Sequence, residues 1–472
     1  KGMNADLKAF AGKRYPDSKS DLFAVFIDRN LEFAADRGLV GMITMQSWMF
    51  LSSYENLRLK LLEHVTLSSM AHLGARAFDS IGGEVVSTTA FVLQSSHMAN
   101  FKGGYVRLTH GNSEAAKKSD LEQAIAKADC GWFFHASATD FEQIPGRPIA
   151  YWISNEFREA FLLGIPFGEL VHPRQGLATG SNDTFLRKWF ELNINEISFD
   201  TGSISESVRT KKRWFPYNKG GDWRKWFGNF EYVVDWFGDG HGIRNFKDES
   251  GKVRSRPQNT EYYFKESVTW SDITTNSFGA RYSPKGFIFD VKGSSGFPQE
   301  SEFYASIAIL NSRLMNEFMA VLNPTSTFQV GDMARVPFIR APSTVEDNAK
   351  KLIQLSKHDW DCFEVSCDFS RSPLLQQGFA AKALSDSYGF LVKHQRSITA
   401  EAGCLEAENN RLFIKAYGLQ NELTPEVPLS EITLTCNPHY RYGGDLPDAE
   451  REVRLKSDTM RELVSYAVGC IM

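Results

Sequence analysis

Within the first hundred residues the hydrophobic pattern switches period three times, and that alternation restricts the possible folds more than any other feature of the chain. SDLFAVFIDRNLEFAAD (Ser20 to Asp36) places Leu22, Phe23, Phe26, Ile27, Asn30 and Leu31 at helical spacing, with Ser20 or Asp21 suited to cap its start. GLVGMIT, which follows Arg37, is a short and nearly continuous apolar run, the pattern of a strand buried on both faces in a parallel sheet. SSYENLRLKLLEHV (Ser52 to Val65) returns to helical spacing, and EVVSTTAFVLQ (Glu84 to Gln94) is rich in the Val and Thr of strands. Helix, strand, helix and strand in alternation predict the second half of an open α/β sheet.

After Arg107 the pattern changes. A charged helix (Ser119 to Ala128) leads to FEQIPGRPIAYW, where Pro145, Gly146 and Pro148 interrupt regular structure and predict a boundary. The stretch from Phe167 to Pro342 is rich in Gly, aromatics and short strand candidates and reads as a mixed, mostly β domain. From Ser343 onward the pattern is helical. A length of 472 residues exceeds what one core commonly serves, so two or three domains are expected. We divide the chain into 1–110 (α/β), 111–166 (a connecting segment), 167–342 (mixed α+β) and 343–472 (helical). The chain begins at Lys1 rather than Met and ends in the apolar run SYAVGCIM, which reads as a chain continued at both ends.

A net charge of -4 gives no global attraction to a polyanion, so a nucleic-acid site must be a local concentration of cations. One exists. RTKKRWFPYNKGGDWRKW holds seven basic residues (Arg209, Lys211, Lys212, Arg213, Lys219, Arg224, Lys225) against one acidic residue, Asp222, a local charge of +6. Trp214, Phe215, Tyr217, Trp223 and Trp226 are interleaved with them. Cations neutralise phosphates and flat rings stack on bases, so the mixture suits a nucleic-acid surface. It equally fits a solvated basic loop whose aromatics anchor a core. The six cysteines are scattered without a C-x-x-C pair, which indicates neither a zinc site nor a disulfide framework and fits a reducing cytoplasm. There is no long apolar run of the kind that spans a membrane. GLATGSNDTFLRKWF matches neither phosphate-loop spacing, so its glycines read as a tight turn. His241 in DGHGIRNF has no spaced partner and is discounted as a ligand.

DLFAVFIDRNLEFAADRGLVGMITMQSWMFLSSYENLRLKLLE resembles the γ-type amino-methyltransferases of DNA. FEQIPGRPIAYW, GLATGSNDTFLRKW, AILNSRLMNEFM, SKHDWDCFEVSCDFSRSPLL and ENNRLFIKAYGLQNELTPEVPL narrow the resemblance to the PglX family, the adenine-specific methyltransferases of BREX phage-defence systems. The resemblance extends over nearly the whole chain. It implies that residues 1–110 are the C-terminal part of a Rossmann-like methyltransferase sheet and that 167–342 form the target-recognition domain. In this family a segment similar to KGMNADLKAF follows the catalytic Asn-Pro-Pro-Tyr, so the motif and the S-adenosylmethionine loop are expected upstream; no catalytic, cofactor-binding or metal-binding residue is assigned here.

The implied chemistry is methyl transfer from S-adenosylmethionine to N6 of an adenine flipped out of duplex DNA. Phe91, with Trp48 as a second choice, is the candidate to stack on that base; a core position is the competing reading for both. Asn182, Asn218, Arg224, Asn276 and Arg281 are candidates to read base edges, since Arg pairs with guanine and Asn with adenine. Lys211, Lys212 and Lys225 are candidates to hold phosphates, with Arg209, Arg213 and Trp214 beside them. Expected partners are double-stranded DNA, other BREX components and an acidic protein that mimics DNA, and no membrane. A non-catalytic DNA-binding specificity module and part of a bifunctional restriction-modification enzyme are the alternative readings.

Overall fold

A computed structural model describes residues 2–81, 86–98, 100–274 and 277–472. Contacts divide them into two units, residues 1–164 with 320–324, and residues 165–319 with 325–472.

The first unit is an α/β sheet. α1 (Ala5–Arg14) starts where the Asn4 side chain accepts from the N–H of Leu7, and α2 (Leu22–Phe33) starts where Asp21 accepts from the N–H of Leu22. β1 (Leu39–Met45), α3 (Glu55–His64), β2 (Thr66–Gly74), β3 (Thr88–Gln94), β4 (Gly103–Arg107), α4 (Glu114–Ala126) and β5 (Phe133–Ala136) follow. The strands lie in the order β1-β3-β2-β4-β5. β3 runs antiparallel to both β1 and β2, while β2 is parallel to β4, so β1, β2 and β4 end at the same edge of the sheet. α2 and α3 cover one face: Ala24, Ile27, Leu57 and Leu61 pack on Val40, Met70, Phe91, Leu93 and Tyr105. α4 packs on the other face near β4, through Ala124 and Leu121 against Val106, Leu108 and Phe133.

Three expectations need correction. β1 is not buried on both faces: Leu39 is 67% and Ile43 60% exposed, because β1 lies at an edge and no described element covers its second face. The strand expected over Glu84 to Gln94 is β3, seen from Thr88; Glu84 and Val85 lie outside the described residues. Residues 111–164 are not a mere connection, since they supply α4, β5 and α5 (Asn155–Leu163) to the first unit.

The second unit joins a β part to a helical part. A four-stranded sheet is built from β6 (Leu186–Lys188), β7 (Trp214–Asn218), β8 (Tyr232–Asp235) and β9 (Ile288–Phe289), in the order β9-β7-β8-β6. A three-stranded sheet is built from Ser267–Trp270, flanked by Ala280–Ser283 and Ser295–Gly296. Phe215, Tyr217, Val234, Trp236, Ile243, Phe264 and Ile288 form a buried core on the four-stranded sheet. The helical part contains α6 (Thr344–Asp361), α7 (Leu384–Ala416) and α8 (Asp448–Ile471), and α6 packs lengthwise on α7. No helix among the described residues is long and apolar enough to cross a membrane.

Candidate nucleic-acid interface

The basic aromatic segment starts on a turn and ends in the core. All five residues of β7 are buried. Trp214 is 4% exposed and packs on Ile197 and Val233, and the guanidinium carbons of Arg213 and Arg187 lie 5.4 and 5.9 Å from its ring centre. Trp214 therefore serves as a core residue covered by cations, not as an open platform for a base.

Further along, the cations turn inward. Lys225 Nζ forms a buried ion pair with Glu406 of α7, and Trp226 Nε1 donates to the other carboxylate oxygen of Glu406 at 2.7 Å. Burial drives the Glu406 carboxyl pKa upward, while Lys225 and Trp226 oppose that shift. Arg224 donates to Thr435 Oγ1 at 2.8 Å and lies 3.8 Å from Asp359 of α6. Asp359 also accepts from the backbone N–H groups of Thr435 and Cys436, at 2.6 and 2.9 Å. Arg281 is 2% exposed, and burial together with the charge of Arg224 pulls its pKa down to about 10. Asn218 Nδ2 donates to Ser283 Oγ at 2.8 Å, which links the two sheets.

Arg224, Lys225, Arg281, Asn218 and Trp214 are thus withdrawn as DNA contacts. Their polar groups face protein partners, or sit where a DNA groove has no access. Arg224 and Lys225 instead tie the β part of the unit to α6 and α7.

Phe91 and Trp48 need the same correction. Their ring centres are 4.9 Å apart at an angle of 59°, and they are 3% and 1% exposed within the core under α2 and α3. Neither offers a free face to a flipped base.

The turn before β7 stays outside. Arg209 and Lys211 are exposed, and Lys211 holds a left-handed backbone with φ of 55°. Lys212 Nζ donates to the carbonyl of Asn195, and Arg213, 59% exposed in its side chain, pairs with Asp235 at 2.8 Å. Asn182 is exposed at the start of a short helix and accepts from Thr179 at 2.8 Å. Asn276 lies outside the described residues. Arg187 and Lys188 of β6 were not singled out from the sequence. β6 pairs with β8, and β8 with β7, so these two cations share a sheet with the turn. The signal was the Leu-Arg-Lys-Trp of a motif read only for its glycines. Gly176 of that motif is needed for close approach: a Cβ there would stand 1.8 Å from the carbonyl oxygen of Phe289.

Among the described residues no group of three or more His, Cys, Asp and Glu side chains is placed to hold a metal ion, and His241 is exposed. All six cysteines are free thiols. No Gly-rich turn stands after β1, β2 or β4 among the described residues to cradle a nucleoside cofactor, so no residue is assigned to S-adenosylmethionine.

Residues 1–78 match the Eco57I restriction-modification methylase family. The chain is 40% identical, over its entire length, to the adenine-specific methyltransferase BrxX of Escherichia coli O9:H4 (strain HS). Along its whole length the chain is similar to this adenine-specific methyltransferase. It is also 36% identical, over 99% of its length, to the adenine-specific methyltransferase PglX of Lacticaseibacillus casei (strain Zhang). It spans 37% and 38% of the lengths of these relatives. A solved structure of the type IIL restriction-modification enzyme MmeI in complex with DNA has a TM-score of 0.47 at 11% identity, covering 89% of this chain and 56% of that one.

Proposed function

We propose that the chain is part of a site-specific DNA adenine-N6 methyltransferase of a BREX phage-defence system and that it mainly carries target recognition. The observation behind this reading is the similarity to BrxX, 40% identity in an alignment that spans the whole chain and so both units. The full-length protein would transfer methyl from S-adenosylmethionine to an adenine turned out of the duplex. A stacked base hides its amino group from a methyl donor, and flipping costs a few kcal/mol that protein contacts must offset.

Part of that offset comes from cations on the phosphates. The exposed turn carrying Arg209, Lys211, Lys212 and Arg213, with Arg187 and Lys188 on the same sheet, is the surface we assign to it. These side chains position DNA without reading sequence. The same surface would accept an acidic protein that mimics DNA, and other BREX components are the expected assembly partners.

Replacing Lys211 and Lys212 with Ala should weaken binding to all duplexes alike and lower the slope of log affinity against log salt by about 2. Titrations of the full-length protein at several salt concentrations read this directly. An unchanged slope removes the turn from the interface.

A further inference from the structure

The carboxyl ends of parallel strands are where open α/β sheets bind ligands. In the first unit that edge carries a group of polar and aromatic side chains that the DNA-binding surface does not use. Gln46 directly follows β1, His72 lies near the end of β2 and Arg107 ends β4, with His72 paired in register to Arg107. A register irregularity between His72 and Gly74 marks the end of β2, a feature that re-aims side chains at strand ends.

Three of these side chains form a chain of hydrogen bonds. His72 Nδ1 lies 3.1 Å from the Tyr151 hydroxyl, and His72 Nε2 lies 2.8 Å from Gln46 Oε1. An amide oxygen only accepts, so Nε2 carries the proton and Nδ1 accepts from Tyr151. Burial, aided by the charges of Arg107 and Lys117, lowers the His72 pKa to about 3, so the ring is neutral and the direction of the chain is fixed. Tyr151 is in turn held by stacking on Tyr105, with ring centres 4.8 Å apart. With its oxygen occupied, Gln46 can present only its N–H groups outward. Gln46 is half-buried, and those N–H groups have no partner among the described residues. Phe50 and Trp152 pack against each other beside His72, their ring centres 5.8 Å apart and each 6.1 Å from the imidazole, and Arg107 covers the Trp152 ring at 4.6 Å.

We propose that Gln46 is a substrate-positioning donor, oriented by His72 and Tyr151, which gives a hydrogen bond to a ring-nitrogen acceptor on the edge of the purine brought to this end of the sheet. The inference rests on the reading of the protein as a DNA adenine methyltransferase. His72 and Tyr151 act through Gln46 and do not touch the base.

The test is methyl transfer by the full-length protein to duplexes whose target adenine has N1, N3 or N7 replaced in turn by C–H, comparing wild type with Gln46→Met and Gln46→Glu. The expected result is that one analogue costs wild type about tenfold in kcat/KM, that Gln46→Met loses a similar factor on unmodified DNA, and that Gln46→Met is indifferent to that analogue. Gln46→Glu still accepts from His72 but offers an acceptor outward, so it should be at least as impaired as Gln46→Met. A Gln46→Glu enzyme close to wild type would mean that Gln46 only packs against His72 and would overturn the proposal. So would three analogues that penalise Gln46→Met as much as wild type. A wild type that methylates no DNA overturns the underlying reading and takes this proposal with it.

Discussion

A buried cation either finds a carboxylate or loses affinity for its proton, and this chain does both. Lys225 is paired with Glu406, while Arg281 and His72 have lowered pKa values, to about 10 and about 3. The pair makes a sharp prediction. Glu406→Ala leaves the Lys225 charge and the Trp226 N–H buried without their acceptor, which should cost about 3–5 kcal/mol, read as a fall in the urea midpoint. His72 makes another. The folded ring refuses a proton that the unfolded chain accepts below about pH 6.5, so its contribution is complete above that pH and is lost as pH falls toward 3. At pH 5 the loss should reach about 2 kcal/mol, and His72→Gln should show a smaller drop in urea midpoint between pH 7 and pH 5 than wild type. At this scale the sequence was least informative. Arg224 and Lys225 read as surface cations because the residues that bury and pair them, Asp359 and Glu406, lie more than a hundred positions away on helices of their own. Local charge counts do not register such a partner. Phe91 failed for the opposite reason: the Val and Thr around it placed it in a strand without saying that Trp48 occupies the space over its ring.

Elements were more legible than roles. The helix expected over Ser20 to Asp36 is α2, the apolar run after Arg37 is β1, and the helix of Ser52 to Val65 is α3, because each carries its own periodicity and cap or turn residues. β2 was missed because TLSSMAHLG mixes serines and a histidine into its pattern, and the irregularities at Leu67/Ser69 and His72/Gly74 break the period of two. The basic segment was read as a single unit, yet it is two: a solvated turn up to Arg213 and beyond it a mostly buried stretch that surfaces only around Gly221 and Asp222. The halves should respond differently to substitution. Arg224→Ala should lower stability and soluble yield through the lost contacts to Asp359 and Thr435, while the DNA motif methylated by whatever protein remains folded stays the same. A changed motif in that variant would return Arg224 to the recognition surface.

At the scale of the whole molecule, the chain pairs an α/β sheet with a second unit whose β part is tied to its helices by buried charges. A net charge of -4 gives the chain no global attraction to a polyanion, so the proposed contact with DNA rests on local patches. We propose that the full-length protein methylates adenine at a defined site. The most direct measurement is to incubate it with S-adenosylmethionine and unmethylated DNA and to map modified bases at single-nucleotide resolution. N6-methyladenine at one position of one sequence motif is the predicted result; modification of cytosine, or adenine methylation without any sequence preference, would contradict the account.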